Sequence, residues 1–256
     1  LTDGKKAIFI TVRTGSTRLP KKALLDVAGI PALTYLIRRM KLSRQADKVV
    51  VCTTILPEDD VLVRLAEQEG VDHFRGSVED KLARWQGAAK AHGVGFIVTA
   101  DGDDLLCDPE LIDMAFAQAE ASGVDFLEAP GLACGAFTYG IRVSALDKVC
   151  EIKDTDETEM MWVYFKETGL FKVGALEGVD EIYKRPGVRM TLDYPEDYEF
   201  FKTVISHFEK RGGPYGLRDI LAWLDQRPEV VAICSHLMTR FLENQAQKTH
   251  LKLKDK

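Results

Sequence analysis

Apolar residues recur along this chain with two periods. Short unbroken runs at 7–12, 48–53 and 96–100 are rich in β-branched residues and lack polar alternation, which predicts strands buried on both faces, and 71–74 is expected as a further short strand. Between them the apolar positions fall at helical spacing. Pro31 opens a helix with Leu33, Leu36, Ile37 and Met40 on one face and Arg38, Arg39 and Lys41 turned away. Pro57-Glu58-Asp59-Asp60 opens the next, with acids where the helix dipole favours them, and Gly70 ends it. A third helix over 79–92 carries Leu82, Trp85 and Ala89, and a fourth begins at Pro109 and ends near Gly123. This βαβαβ rhythm predicts an α/β fold, a mostly parallel central sheet between layers of helices. Ligands in such folds bind beyond the carboxyl ends of the strands, so the loops after Val12, Thr53, Phe74 and Ala100 are expected on one rim.

A strand is expected over 125–129. The alternation then becomes irregular from Pro130 to Gly187, which reads as an inserted segment within a single domain spanning 1–235. Within it, 137–143 is expected as a strand and 156–168 as a helix. That helix would carry Met160, Met161, Trp162, Val163, Tyr164 and Phe165, apolar nearly all round, so core packing and a dimer interface compete for it. Residues 187–192 return to strand character and end in Asp193, a helix follows Pro195, and Gly212-Gly213-Pro214 breaks it. Residues 217–224 form a last amphipathic helix. The tail, 236–256, grows increasingly polar, and 245–256 is expected to be frayed.

Composition narrows the classes. The chain has 256 residues, 46% of them hydrophobic, and a net charge of -6, which argues against a general nucleic-acid binder. No apolar stretch is long enough for a membrane span, and the polar opening at 1–6 does not suit a secretory signal, so a cytoplasmic protein is expected. Five scattered cysteines without a Cys-x-x-Cys pair read as reduced thiols and not as a zinc site.

The chemistry concentrates after the first strand. Arg13, Gly15, Ser16, Thr17, Arg18, Pro20, Lys21 and Lys22 follow one another closely, four of them cations. Gly15 offers conformational freedom, and the amides and hydroxyls near Gly15 and Ser16 can donate to phosphate oxygens. Neither the P-loop ending Gly-Lys-Ser/Thr nor a Gly-x-Gly-x-x-Gly fingerprint is present, so a triphosphate site of another kind is expected, with a solvated basic loop as the plain alternative. Asp101, Asp103 and Asp104 follow the buried run at 96–100. They suit a Mg²⁺ ion bridging nucleotide phosphates, or else helix capping, for which Asp108 before Pro109 is better placed. Asp193 has the same two readings, metal ligand or cap of the helix at Pro195.

These motifs carry a resemblance. Arg13-Thr14-Gly15-Ser16-Thr17-Arg18-Leu19-Pro20-x-Lys22 resembles the signature of the sugar cytidylyltransferases that activate acylneuraminate and 3-deoxy-octulosonate sugars, above all the spore-coat-polysaccharide F-type branch. Lys21 stands where that pattern has glycine. Gly102-Asp103-x-x-Leu106-x-Asp108-Pro109 and Asp193-Tyr194-Pro195-Glu196-Asp197 resemble its two metal blocks, and Arg75-Gly76-Ser77-x-Glu79-Asp80-x-Leu82-x-Arg84 its third block. The family's Glu-His-Val-Thr-x-Tyr lacks its histidine here, around 157–165. The resemblance implies a three-layer, Rossmann-like nucleotidyltransferase fold related to GT-A enzymes. It implies Mg²⁺ held by Asp103 and Asp193, and Arg13, Arg18 and Lys22 acting on the triphosphate of CTP. Gly15, Ser16, Thr53, Arg75 and Asp101 would complete the nucleotide site, and Asp80 would cap its helix. The implied reaction passes CMP to an anionic sugar acid for surface polysaccharide, in a homodimer whose contacts come from 130–187. A GT-A-type glycosyltransferase using a nucleotide sugar and a silent nucleotide-binding assembly protein are the alternatives.

Overall fold

The computed structural model describes residues 4–255, so the opening of the polar segment at 1–6 and the last residue lie outside the described residues. The first strand, β1 (Lys5–Thr11), realises the opening apolar run. Ile8 and Ile10 point into one core, Ala7 and Phe9 into the other, so alternate side chains of one strand feed both. A hairpin of β2 (Asp26–Val27) and β3 (Ile30–Pro31) turns through Ala28 and Gly29, whose φ values of 52° and 87° form the tight two-residue turn that matches strand twist.

The chain continues through α1 (Ala32–Met40), β4 (Lys48–Thr54), α2 (Asp60–Gln68), β5 (Asp72–Gly76), α3 (Lys81–His92), β6 (Val94–Asp101) and α4 (Pro109–Ser122). Then come β7 (Phe126–Glu128), β8 (Gly140–Arg142), α5 (Val143–Ile152), α6 (Trp162–Lys166) and β9 (Val173–Ala175). Four helices close it: α7 (Pro195–Arg211), α8 (Leu217–Leu224), α9 (Pro228–Val231) and α10 (Met238–Lys248). The seven-stranded sheet runs β5-β4-β1-β6-β8-β7-β9. The first four strands are mutually parallel, β8 is antiparallel to both neighbours, and β9 is parallel to β7. Helices α1, α4, α7 and α8 bury their apolar faces on one side of the sheet, α3, α5 and α6 on the other. The expected rim forms where β1, β4, β5 and β6 end.

Three expectations give way in the second half. The helix expected over 156–168 shrinks to α6, because Thr158 is used as a dock: its hydroxyl accepts from Leu82 N (3.1 Å) and donates to Asp80 (2.9 Å) at the start of α3. Met161, Val163, Tyr164 and Phe165 are buried in the chain's own second core, with Phe165 stacked on Phe126 at 4.8 Å. Residues 187–192 are extended but pair with loops instead of a sheet strand: Cys134 N bonds Val188 O, Met190 N bonds Cys134 O, and Leu192 N bonds Asp103 O, each at 2.9 Å. This pairing brings Asp193 to the rim. It needs Gly135, whose φ is +85° and where a Cβ would lie 2.1 Å from Met190 O. The tail does not fray over 245–255. α10 lies with Phe241 under the Arg189 guanidinium (4.5 Å), and beyond it Asp154 N bonds Lys252 O and Lys254 N bonds Ile152 O, both at 2.9 Å. Among the described residues no helix is long and apolar enough to cross a membrane.

Candidate active site

The loop after β1 is anchored from below. Thr14 donates from both its amide (2.8 Å) and its hydroxyl (2.7 Å) to one oxygen of Asp59, and Thr54 at the end of β4 donates to the other (2.5 Å). Asp59 is 1% exposed. It ties the basic loop to the neighbouring strand end, a role that the run of acids around it concealed in the sequence. Gly102 lets the β1 and β6 loops touch: its amide bonds Thr11 O at 2.8 Å, and a Cβ there would meet Val12 at 2.7 Å.

On this base, residues far apart in sequence converge. Lys22 Nζ lies 2.5 Å from Asp103 and 2.9 Å from Asp193, and Arg18 lies 2.6 Å from the same Asp193 oxygen. Asp193 is only 1% exposed. It is also reached by the buried Arg189 at 3.4 Å, which is itself clamped by Asp197 at 2.9 and 3.0 Å. Burial alone would raise the Asp193 carboxyl, but Lys22, Arg18 and Arg189 outweigh it and hold Asp193 below the usual carboxylate range. Burial would likewise lower Lys22, and the two carboxylates instead raise it. Asp193 does not cap α7. Asp197 does, accepting from the amides of Asp193 and Tyr194 at 2.9 Å each, which leaves the Asp193 carboxylate free for the site. The helix caps expected elsewhere form: Asp108 accepts from Glu110 and Leu111, and Asp80 from Ala83.

Asp101, Asp103 and Asp104 offer carboxylate oxygens within 4.8 Å of one another. Burial, then mutual repulsion with Asp103, pushes Asp104 well up. Asp101 is raised chiefly by burial as well, with Lys81, 3.8 Å away, opposing. A crowded, partly buried set of hard oxygen donors fits Mg²⁺, which prefers carboxylates and waters.

Other expected residues stand apart. Arg13 reaches only Glu79, at 3.9 Å, and is half exposed at the rim. Gly15 is not left-handed, and a Cβ there would meet nothing within 4 Å, so its value is open space above the loop and not a special conformation. Ser16 bonds back through its amide to Thr14 O at 2.8 Å. The left-handed position is instead Lys21, at φ 54°. Thr53 is fully buried under the rim, because both faces of β4 are covered there, so it presents nothing to a ligand. Arg75 is spent on the frame, donating to Thr54 O (3.0 Å) and Leu56 O (2.8 Å) and pairing with Asp60 at 2.6 Å. Sequence reasoning missed Lys81 and Arg189, and it quoted Asp59 only as a helix-opening acid and Asp197 only as part of a motif. Arg189, a cation inside an apolar run, gave a signal, since a buried charge demands a partner.

A parallel-sheet α/β core with cations and paired carboxylates at the strand ends is the arrangement of a nucleotidyltransferase. The family model described as Cytidylyltransferase matches residues 7–219. The chain belongs to the cytidylyltransferase family. It is 33% identical over 231 residues to the uncharacterized protein MJ1063 of Methanocaldococcus jannaschii, covering 90% of this chain and 94% of that one. It is 29% identical to the spore coat polysaccharide biosynthesis protein SpsF of Bacillus subtilis, covering 80% and 86%. A solved cytidylyltransferase from Leptospira borgpetersenii superposes with a TM-score of 0.81 at 29% identity, covering 89% of this chain and 97% of that one.

Proposed function

We propose that this protein transfers CMP from CTP to an anionic sugar acid of the ulosonate or nonulosonate type and releases pyrophosphate, with Mg²⁺ as cofactor. The observation that carries the reading is the meeting of Arg18, Lys22, Asp103 and Asp193 at one point of the rim. The resemblance of their motifs to sugar-acid cytidylyltransferases supports the acceptor class, and the Bacillus relative's name supports a place in polysaccharide biosynthesis.

Arg18 and Lys22 bind the triphosphate oxygens and stabilise the charge that builds on the leaving pyrophosphate. The Thr14–Asp59 anchor fixes the start of the loop that carries Arg18 and Lys22, so little reorganisation is needed at the moment of reaction. The acceptor oxygen bonds to the α-phosphorus as its proton is released. The bond from that phosphorus to the β-phosphate breaks, and pyrophosphate leaves with the electron pair. Mg²⁺ held by Asp103 and Asp193 would supply charge neutralisation at the reacting phosphate. Arg13, at the half-exposed edge, meets the substrates from the side of α3. A homodimer and a cytoplasmic location complete the proposal.

The test is thermal stabilisation by each of the four nucleoside triphosphates with Mg²⁺, followed by pyrophosphate release across a panel of sugar acids. Selective stabilisation by CTP, with pyrophosphate appearing for one acceptor, is expected. Stabilisation by a nucleotide sugar, with no pyrophosphate from any triphosphate, would refute it.

A further inference from the structure

Lys22 has a position that phosphate binding alone does not require. Its side chain is 15% exposed, and its ammonium lies between Asp103 and Asp193, at 2.5 and 2.9 Å. Those two carboxylates come from just beyond the ends of β6 and of the extended 187–192 segment, and among the described residues Lys22 is the one side chain bonded to both. Arg18 carries the same charge but stands on the flank, bonded to Asp193 and not to Asp103, with a third of its side chain exposed.

We propose that the Lys22 ammonium is a resident cation: in the nucleotide-free protein it holds the place between Asp103 and Asp193, and it yields that place only when a triphosphate gives it a new partner. This rests on the reading above that the two carboxylates form the metal site. An ammonium is a compact point charge on a flexible stem, suited both to sitting between two carboxylates and to moving to a phosphate. Displacing it without a phosphate at hand would strand a largely buried cation, which is costly. Divalent cation and nucleotide are therefore taken up as a coupled pair, and without nucleotide the protein holds a divalent ion weakly despite the four acids.

Mn²⁺ binding to the nucleotide-free full chain, followed by electron paramagnetic resonance of the free ion, reads this directly. Lys22→Met should bind Mn²⁺ at least about tenfold more tightly than the wild type, a tenfold change being about 1.4 kcal/mol. Arg18→Met, which removes an equal charge beside the same carboxylate, should gain less than about threefold. Adding Asp103→Asn to Lys22→Met should return binding to the weak level. Lys22→Gln carries the same test if the apolar variant does not fold. Equal affinity in wild type and Lys22 variants would overturn the proposal, and so would an equal gain in Arg18→Met, which would mean a general charge effect. The functional reading fails separately: wild-type protein that CTP does not stabilise would refute the reaction while leaving the Mn²⁺ comparison standing.

Discussion

Asp59 offers the sharpest test of how the site is built, because it touches no substrate and yet sets the position of the basic loop. Asp59→Ala removes an ionised, buried acceptor of three hydrogen bonds, two from Thr14 and one from Thr54. Each bond to a charged acceptor is worth about 1.5 kcal/mol net, and the hydroxyls can turn elsewhere while the Thr14 amide cannot, so a loss of about 3–5 kcal/mol is expected. Asp59→Asn keeps one oxygen for Thr14 and presents an amine that the Thr54 hydroxyl can accept, which brings the cost down to about 1–2 kcal/mol. The pH dependence has a definite sign. Burial alone would raise the Asp59 carboxyl, but the bonds from Thr14 and Thr54 win and hold it below the usual range. A depressed folded pKa stabilises fully above the unfolded value, about 3.9, and the benefit is lost as pH falls through the folded value. The gap between wild type and Asp59→Asn should therefore be widest near neutrality and close below about pH 4. Urea unfolding at several pH values measures this, and pyrophosphate release should fall about 100-fold in kcat/KM for Asp59→Ala as the loop shifts. An Asp59→Ala protein within about 1 kcal/mol of wild type, with unchanged turnover, would refute the anchoring argument.

Three further outcomes follow from the geometry. Asp103→Asn should lower kcat by about 100-fold, on the order of 3 kcal/mol of transition-state stabilisation, with a melting temperature near that of wild type, checked by pyrophosphate release and calorimetry. Gly135→Ala should destabilise by about 2–4 kcal/mol in urea unfolding, since its Cβ would strike Met190 O in a left-handed conformation, and activity should fall with it because the same contact delivers Asp193 to the rim. Deleting 238–255 removes Phe241 from Arg189 and the Asn244 bond to the Tyr194 hydroxyl (3.3 Å), and should lower the melting temperature and weaken CTP stabilisation, measured by differential scanning fluorimetry.

What the sequence disclosed depended on how local the cause was. Most strands and helices up to residue 122 were legible because each is decided within its own few residues, by an apolar run or a capped 3.6-residue stripe; the two-residue strands of the β2–β3 hairpin were too short to leave such a pattern. The middle was less legible because its order comes from remote partners. The apolar run at 160–165 looks like a long helix until Thr158 is claimed by the start of α3. Residues 187–192 look like a strand until their amides and carbonyls are claimed by Cys134 and Asp103. The polar tail looked frayed because the groups that hold it are a buried guanidinium and a loop edge, neither of which leaves a local pattern. At the site, the cations and acids that a phosphate chemistry needs were visible by type. Their use was not: Arg75 and Arg13 are alike in sequence, yet one is a strut bonded to two carbonyls and the other is an open rim charge.

The charge balance of the rim explains why so many ions are tolerated there at all. Arg189 and Asp197 neutralise each other beneath the surface and fix the backbone of Asp193. That leaves Asp101, Asp103, Asp104 and Asp193 facing Arg18, Lys22 and Lys81, a cluster that is close to balanced only while every cation stays where it is. A polyanionic triphosphate arriving alone would pull Arg18 and Lys22 off the acids and expose two carboxylates to its own charge, which is repulsive at these separations. A divalent ion arriving alone would have to drive the largely buried Lys22 away from Asp103 and Asp193 with no anion to replace them. Under the proposal above, the two exchanges compensate when they come together: the ammonium would pass to the phosphates and the carboxylates to the ion, so the pairings of Lys22 with Asp103 and Asp193 would favour the complete substrate over either of its parts with no moving domain, only a lysine long enough to reach both anions.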